Sequence, residues 1–120
     1  MKKMYIAVHT DVPDYMVPTL VAHSVINAHI QFDHVHGNHE LDKVVIYREW
    51  LQDSFRKVVV RVGQKEFDKI AARHLCWQGH ENTTMLGIPS CLVVLPMEAE
   101  DVPNVLKFAN MWAPIYKENK

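Results

Sequence analysis

Two groups of polar side chains in this chain have the residue types that proton transfer requires, and each follows an apolar run. The first group, Thr10, Asp11 and His23, spans the end of one such run and the segment after it. The second is a polar stretch between two apolar segments: His80, Glu81, Asn82, Thr83 and Thr84. A carboxylate or an imidazole can orient or deprotonate water, and hydroxyl groups can donate hydrogen bonds to a developing oxyanion. The groups are therefore candidates for ester hydrolysis, with a turn-capping aspartate, a satisfied histidine and a solvated turn as the alternative interpretation.

Three apolar runs predict the strands that would position these groups. Residues 5–8, 58–62 and 92–95 are rich in valine and other apolar side chains, which is typical of strands covered on both faces. A further short strand is predicted at 76–78, ending at Gly79. The first polar group would then lie at the carboxyl end of the first strand, where α/β proteins commonly bind ligands.

Helical spacing of apolar residues predicts the other layer of the fold. A helix is expected from about Asp14, as its cap, to about Gln31, with Pro18 in the first turn. Residues 40–53 combine strand-like composition with a helical stripe, and helix is favoured. Two more helices are predicted at 65–75 and 101–111.

Strands that alternate with helices predict one α/β domain covering residues 1–120. We expect three layers, with a mixed, mostly parallel sheet of four strands and helices on both faces. No run approaches the ~20 apolar residues of a membrane span, so no membrane partner is expected. Cys76 and Cys91 lack the spacing of a zinc site or redox pair, which favours reduced thiols and a cytoplasmic location.

The charge balance gives no sign of non-specific nucleic-acid binding. Lysine and arginine number 13 against 14 aspartates and glutamates, a net charge of −1 without the basic excess of such proteins. A local phosphate-binding face remains an alternative to a solvated surface. Its candidate cations are Lys2, Lys3, Arg48, Arg56, Lys57, Arg61, Lys65, Lys69 and Arg73.

A histidine-rich stretch raises the question of metal binding. His34, His36 and His39 alternate with small and polar residues, and imidazoles on an extended segment could hold zinc or nickel. No cysteine or helical histidine pair completes the pattern, so a polar loop is favoured. We expect no stoichiometric metal and no cofactor.

The order of short motifs along nearly the whole chain resembles the type 2 peptidyl-tRNA hydrolase family. Residues 9–12, His-Thr-Asp-Val, stand where the family has Arg-Thr-Asp-Leu, and Ala22-His23 matches its Ala-His pair. Trp50 and Lys57-Val58-Val59 match a tryptophan and the strand after it, and residues 91–96 match the final strand. The resemblance implies that fold and hydrolysis of peptidyl-tRNA or a related acyl-RNA.

We therefore assign candidate roles from the residue chemistry and the resemblance together. The candidate catalytic residues are Asp11, His23, Thr83 and Thr84. The candidate substrate-binding residues are Thr10, His80, Glu81 and Asn82. The expected partners are tRNA or peptidyl-tRNA and, in a homodimer, a second copy of the chain.

The chain also departs from the hydrolase pattern at the start of its first helix. Residues 16–20, Met-Val-Pro-Thr-Leu, replace the lysines and Ala-Ala-Gln of the family, so the helix lacks the lysine proposed to act in catalysis. Asp11-Val12-Pro13 is more similar to an uncharacterised sister family of the same fold with a shorter segment here. The alternative to hydrolysis is therefore a non-catalytic binding or regulatory module.

Overall fold

The computed structural model describes residues 1–34, 41–80 and 89–114. Within them the main elements, in chain order, are β1 (Lys2–His9), α1 (Val17–Phe32), α2 (Leu41–Gln52), β2 (Arg56–Val62), α3 (Gln64–Arg73), β3 (Cys76–His80), β4 (Pro89–Val94), β5 (Met97–Glu98), α4 (Asn104–Lys107) and β6 (Asn110–Met111). Short 3-10 turns at Asp14–Met16 and Ala99–Asp101 precede α1 and α4. The predicted order of the main strands and helices is confirmed.

The described strands form one open sheet with the order β3-β4-β1-β2-β6. β5 pairs with the first residues of β1, beyond the end of β4. β1 and β2 are parallel, with Tyr5 opposite Val58 and His9 opposite Val62. All other pairings among the described strands are antiparallel, including β1 with β4 and β3 with β4. The three predicted central strands do lie at the centre of this sheet.

The expected four-stranded, mostly parallel sheet is therefore wrong, and β4 is the reason. β1, β2 and β3 run in the same direction, as alternation with helices leads one to expect. β4 follows β3 after residues 81–88, too short a connection for the crossover that a parallel neighbour needs. It returns antiparallel and lies between β3 and β1, so β1–β2 is the parallel pair.

Helices cover both faces of the sheet. On one face, the buried Met4, Ile6 and Val93 pack with residues of α1 and α2 such as Phe32 and Trp50. On the other face, Tyr5, Ala7, Val60 and Leu92 pack with Phe67 and Ile70 of α3 and Leu106 of α4. The alternation of side chains along each strand thus supplies both cores.

Two details of the helices differ from the predictions. Asp14 does not cap α1; it begins the 3-10 turn before the helix, and the helix cap is Met16. The helix predicted at 101–111 is reduced to the single turn of α4, because the chain then pairs with the edge of β2. Trp112 donates its backbone N–H to the carbonyl oxygen of Val59 at 2.8 Å. Strand pairing and burial there override the helical periodicity.

Candidate functional site

The carboxyl end of β1 lies on one side of the sheet together with the ends of other strands; this side is called the carboxyl edge. The backbone N–H of Thr10 donates to the carbonyl oxygen of Val62, at the end of β2, at 2.9 Å. β3 ends and β4 begins at this same edge, because β3 runs in the direction of β1 and β4 runs against it. Thr10 and Asp11 are both exposed. They lie on the same side of the sheet as the end of β3 and the start of β4.

The second polar group is described only at its first residue. The backbone of His80 ends β3. The predicted residues Glu81, Asn82, Thr83 and Thr84 lie outside the described residues, so their assignment stays a prediction.

His9 is a buried site residue that the sequence prediction missed. The residue is 4% exposed, and its ring packs edge-on against the Phe67 ring. Its Nδ1 accepts the backbone N–H of Asp11 at 3.0 Å, and its Nε2 lies 2.8 Å from the Oε1 of Gln64. An Nδ1 that accepts carries no proton, so the pair of contacts assigns the neutral tautomer with hydrogen on Nε2. No pattern in the sequence marked this imidazole, which stands where the resembling family has arginine.

The His9 contacts continue into α3 and fix the start of that helix. Gln64 accepts from His9 and donates from its Nε2 to Asp68 at 2.7 Å, one turn further along α3. The chain His9–Gln64–Asp68 therefore connects the end of β1 to the first turns of α3. Because a buried imidazole is costly unless it is paired, these hydrogen bonds hold His9 in one arrangement, although Gln64 and Asp68 are themselves exposed.

Asp11 presents an exposed carboxylate beside this network. One of its carboxylate oxygens lies 3.8 Å from His9 Nδ1, a separation at which a protonated imidazole would form an ion pair. The shorter contact from the Asp11 backbone N–H argues for a neutral ring. The Asp11 carboxylate is thus open to solvent and to a ligand, while its backbone is held.

His23 lies on α1, outside the turn that directly follows β1. It is exposed on α1, where its Nε2 accepts from the Nδ2 of Asn27 at 3.2 Å. It is six residues into the helix, about 9 Å along the axis from Val17. Among the described contacts, no hydrogen bond or ion pair joins His23 to Asp11 or Thr10. The structure therefore does not pair these two predicted catalytic groups.

Arg61, the cation nearest this edge on β2, is already paired. Its guanidinium donates to Asp14 at 2.7 Å and to the backbone carbonyl of Ala113 at 3.2 Å. The remaining candidate cations are dispersed: Lys2, Lys3, Arg56 and Lys57 lie at the amino ends of β1 and β2, Arg48 lies on α2 and pairs with Asp33, and Lys65, Lys69 and Arg73 lie on α3. They do not form a single phosphate-binding face around Asp11.

A groove of about 330 Å³ opens at the same edge, on the face covered by α3 and α4. Arg61, Gly63, Glu66 and Asn110 are among its lining residues. It has the size of a small-ligand site and begins next to Val62, the residue opposite His9.

The thiols of this chain are poor candidates for a nucleophile. Burial raises the pKa of the Cys76 thiol. Burial likewise raises the pKa of Cys91, and hydrogen bonds involving Ser90 and Ser24 only partly offset this shift. Since the thiolate is the reactive form, both thiols are kept in their less reactive state at neutral pH.

The described residues show neither a cluster of metal ligands nor a membrane-spanning helix. In ranges 1–34, 41–80 and 89–114, no three histidine, cysteine or carboxylate side chains converge on a site for a metal ion. His36 and His39 of the histidine-rich stretch lie outside those ranges. No helix in the described part of the chain is long and apolar enough to cross a bilayer.

Comparison with known proteins gives no family for the chain. No protein-family model matches it, and no curated protein matches it either.

Proposed function

We propose that the chain hydrolyses the ester bond of peptidyl-tRNA or a related acyl-RNA at the carboxyl edge of β1, with Asp11 at the reacting centre. The observation that carries the proposal is the exposed Asp11 carboxylate on a backbone held by His9, beside the groove at the end of β2. A rigid support under an exposed carboxylate is what positioned acid–base chemistry requires.

The proposed step is addition of water to the ester carbonyl. Asp11 orients the water and takes its proton as the water oxygen bonds to the carbonyl carbon. Thr83 or Thr84, as predicted from the sequence, donates to the oxyanion. The C–O bond to the ribose then breaks, and the ribose oxygen takes the proton that Asp11 had accepted from water. The products are tRNA and the peptide carboxylic acid, which releases its remaining proton to solvent.

His23 keeps a secondary place in this proposal. The sequence makes it a candidate catalytic residue, but no hydrogen bond or ion pair joins it to Asp11 in the described structure. We therefore propose that it acts from α1 on the bound RNA or on a later proton transfer. His23→Ala should lower turnover less than Asp11→Asn does.

The second candidate function is a non-catalytic binding module at the same edge. Two observations favour it: Asp11 and His23 are unpaired with each other, and Arg61 is already bound to Asp14. The helix lysine that the resembling hydrolases use is also missing from residues 16–20. This candidate predicts tRNA binding without turnover.

One experiment separates the two candidates. Purified full-length chain is incubated with peptidyl-tRNA carrying a labelled peptide, and release of the peptide is measured against buffer alone. The hydrolase proposal predicts multiple turnovers. If the protein is folded but inactive, titration of labelled tRNA at two salt concentrations decides whether RNA is bound at all, because phosphate contacts weaken steeply with salt.

A further inference from the structure

An apolar groove separates α1 from α2 on the face of the molecule that carries these two helices. Its volume is about 300 Å³. Tyr47 and Trp50 form its floor, and Ile26 and Phe55 form its sides. Ile26 is 64% exposed and Phe55 51% exposed, although both are large apolar residues beside a buried aromatic cluster. The groove therefore presents apolar surface to solvent.

The apolar surface extends beyond the groove along α1. Ile30 follows Ile26 by four residues and is 59% exposed. Residues four apart lie on the same side of a helix, so the two isoleucines form a continuous stripe. A stripe beside a groove suits an elongated partner better than a small compact ligand.

The end of the groove at β2 carries one positive charge, that of Lys57. The Lys57 ammonium lies 3.2 Å from the centroid of the Phe55 ring and donates to the Phe55 carbonyl oxygen. Lys57 lines the groove, whereas its neighbour Arg56 points to the opposite face of the sheet. In the described part of the chain, no carboxylate forms an ion pair with Lys57.

The surroundings of Lys57 also disfavour leaving its charge unpaired. Partial burial lowers the pKa of Lys57, which means that its ammonium has lost some hydration without gaining an anion. A carboxylate from a partner would pair with this ammonium and offset its lost hydration.

The same geometry argues against two other occupants. The Lys57 ammonium already lies over the Phe55 ring, and this ring contacts the Trp50 indole at 5.2 Å between centroids. A nucleobase could not stack on Phe55 without displacing them. A second copy bound through this groove about a two-fold axis would bring two Lys57 ammonium groups, which repel each other, to one interface.

We propose that the groove between α1 and α2 binds an amphipathic helix of an acidic partner protein. Apolar side chains of that helix fill the space over Trp50 between Ile26 and Phe55, and an acidic residue pairs with Lys57. This surface is separate from the proposed ester-hydrolysis site, so neither proposal depends on the other.

The test uses two synthetic helical peptides of about 18 residues with the same leucine face. One peptide has glutamates on its polar face and the other has lysines at the same positions. Each is titrated into isotopically labelled full-length protein and followed by amide chemical shifts. We expect the acidic peptide to shift the amides of Ile26, Trp50 and Lys57 and to bind at least about tenfold more tightly than the basic one.

Substitutions in the protein make the test specific. Lys57→Glu should reverse the preference between the two peptides, and Ile26→Ser should weaken both by at least about tenfold. Leu75→Ser and Lys65→Glu are matched controls, because both residues are exposed and lie outside the groove. Neither control should change binding.

Three results would overturn the proposal. The first is equal affinity for the two peptides, or shifts outside the groove. The second is a concentration-dependent dimer that Ile26→Ser dissociates, which would make a second copy the occupant. The third is tighter binding of an RNA oligonucleotide at the same amides.

Discussion

At the end of β1, one buried imidazole determines how an exposed carboxylate is presented. His9 Nδ1 accepts from the Asp11 backbone N–H, and its Nε2–H donates to the Gln64 Oε1, so a buried side chain holds the turn after the strand. The sequence indicated Asp11 from its type and its place after an apolar run. It could not indicate His9, because the role of that imidazole depends on Gln64, which is 55 residues away.

A hydrogen bond between the buried Tyr47 and the exposed His29 gives a pH-dependent prediction at the residue scale. The Tyr47 hydroxyl lies 2.7 Å from His29 Nδ1, and burial, with a smaller effect of the Asp33 charge, raises the pKa of Tyr47 to about 12. In the unfolded chain the phenol loses its proton near pH 10, while the folded protein retains it. The stabilisation is therefore complete below about pH 10 and is lost as the pH rises towards 12, by at most about 1.4 kcal/mol for each pH unit.

Tyr47→Phe isolates this effect. The variant should be less stable at pH 8 by about 1 kcal/mol, because the hydrogen bond is lost. Urea unfolding at pH 8, 10 and 11 should then show the gap between wild type and variant narrowing as the pH rises. Parallel pH curves would contradict the assignment.

At the scale of elements, close approach of α1 to the β3–β4 pair fixes the first helix on the sheet. Gly79 of β3 faces Ser24 of α1, and a Cβ placed on Gly79 would lie 2.5 Å from the Ser24 Oγ and 3.1 Å from the Trp77 ring. The glycine is thus required for space rather than for an unusual backbone conformation.

This contact predicts that substitutions of Gly79 and Ser24 have non-additive effects on the free energy of unfolding. Gly79→Ala should destabilise the protein by about 1–3 kcal/mol, because the methyl group forces α1 or Trp77 to shift. In a Ser24→Ala background the same change should cost less than half as much. A double-mutant cycle by urea unfolding measures the coupling. Additive costs would show that Ser24 is not the obstacle.

The elements themselves were largely predictable from local pattern, and their neighbours in the sheet were not. The Val58–Val62 run and the helical stripe of α1 depend on side chains close in sequence, so periodicity found them. The insertion of β4 between β3 and β1 depends on the 81–88 connection and on long-range pairing. Long-range pairing also explains why the last helix is shorter than predicted. Residues 110–112 pair with the open edge of β2 and form β6 instead.

At the scale of the whole molecule, the carboxyl-terminal segment covers part of the outer edge of β2. Its Trp112 packs beside the core formed by Val8, Val17, Leu20 and Cys91. The indole Nε1 is buried and has no hydrogen-bond partner among the described residues. The ring therefore contributes through packing, at the cost of one unsatisfied donor.

Two substitutions of Trp112 test this balance. Trp112→Phe removes the donor and keeps an aromatic ring, so stability should equal or exceed that of the wild type. Trp112→Ala should cost about 2 kcal/mol or more, since the packing is lost. Thermal and urea unfolding of both variants give the comparison. If phenylalanine is as damaging as alanine, the indole N–H has a partner.

The most direct test of the proposed chemistry concerns Asp11, because its carboxylate is the group proposed to activate water. Single-turnover hydrolysis of peptidyl-tRNA should be measured for the wild type, for Asp11→Asn and for the matched control Asp53→Asn, whose exposed carboxylate lies just after α2. A positioned acid–base group contributes ~10²–10⁴-fold, so Asp11→Asn should lower the rate by at least about tenfold, while Asp53→Asn leaves it unchanged. Equal rates for all three folded proteins would contradict a site at Asp11.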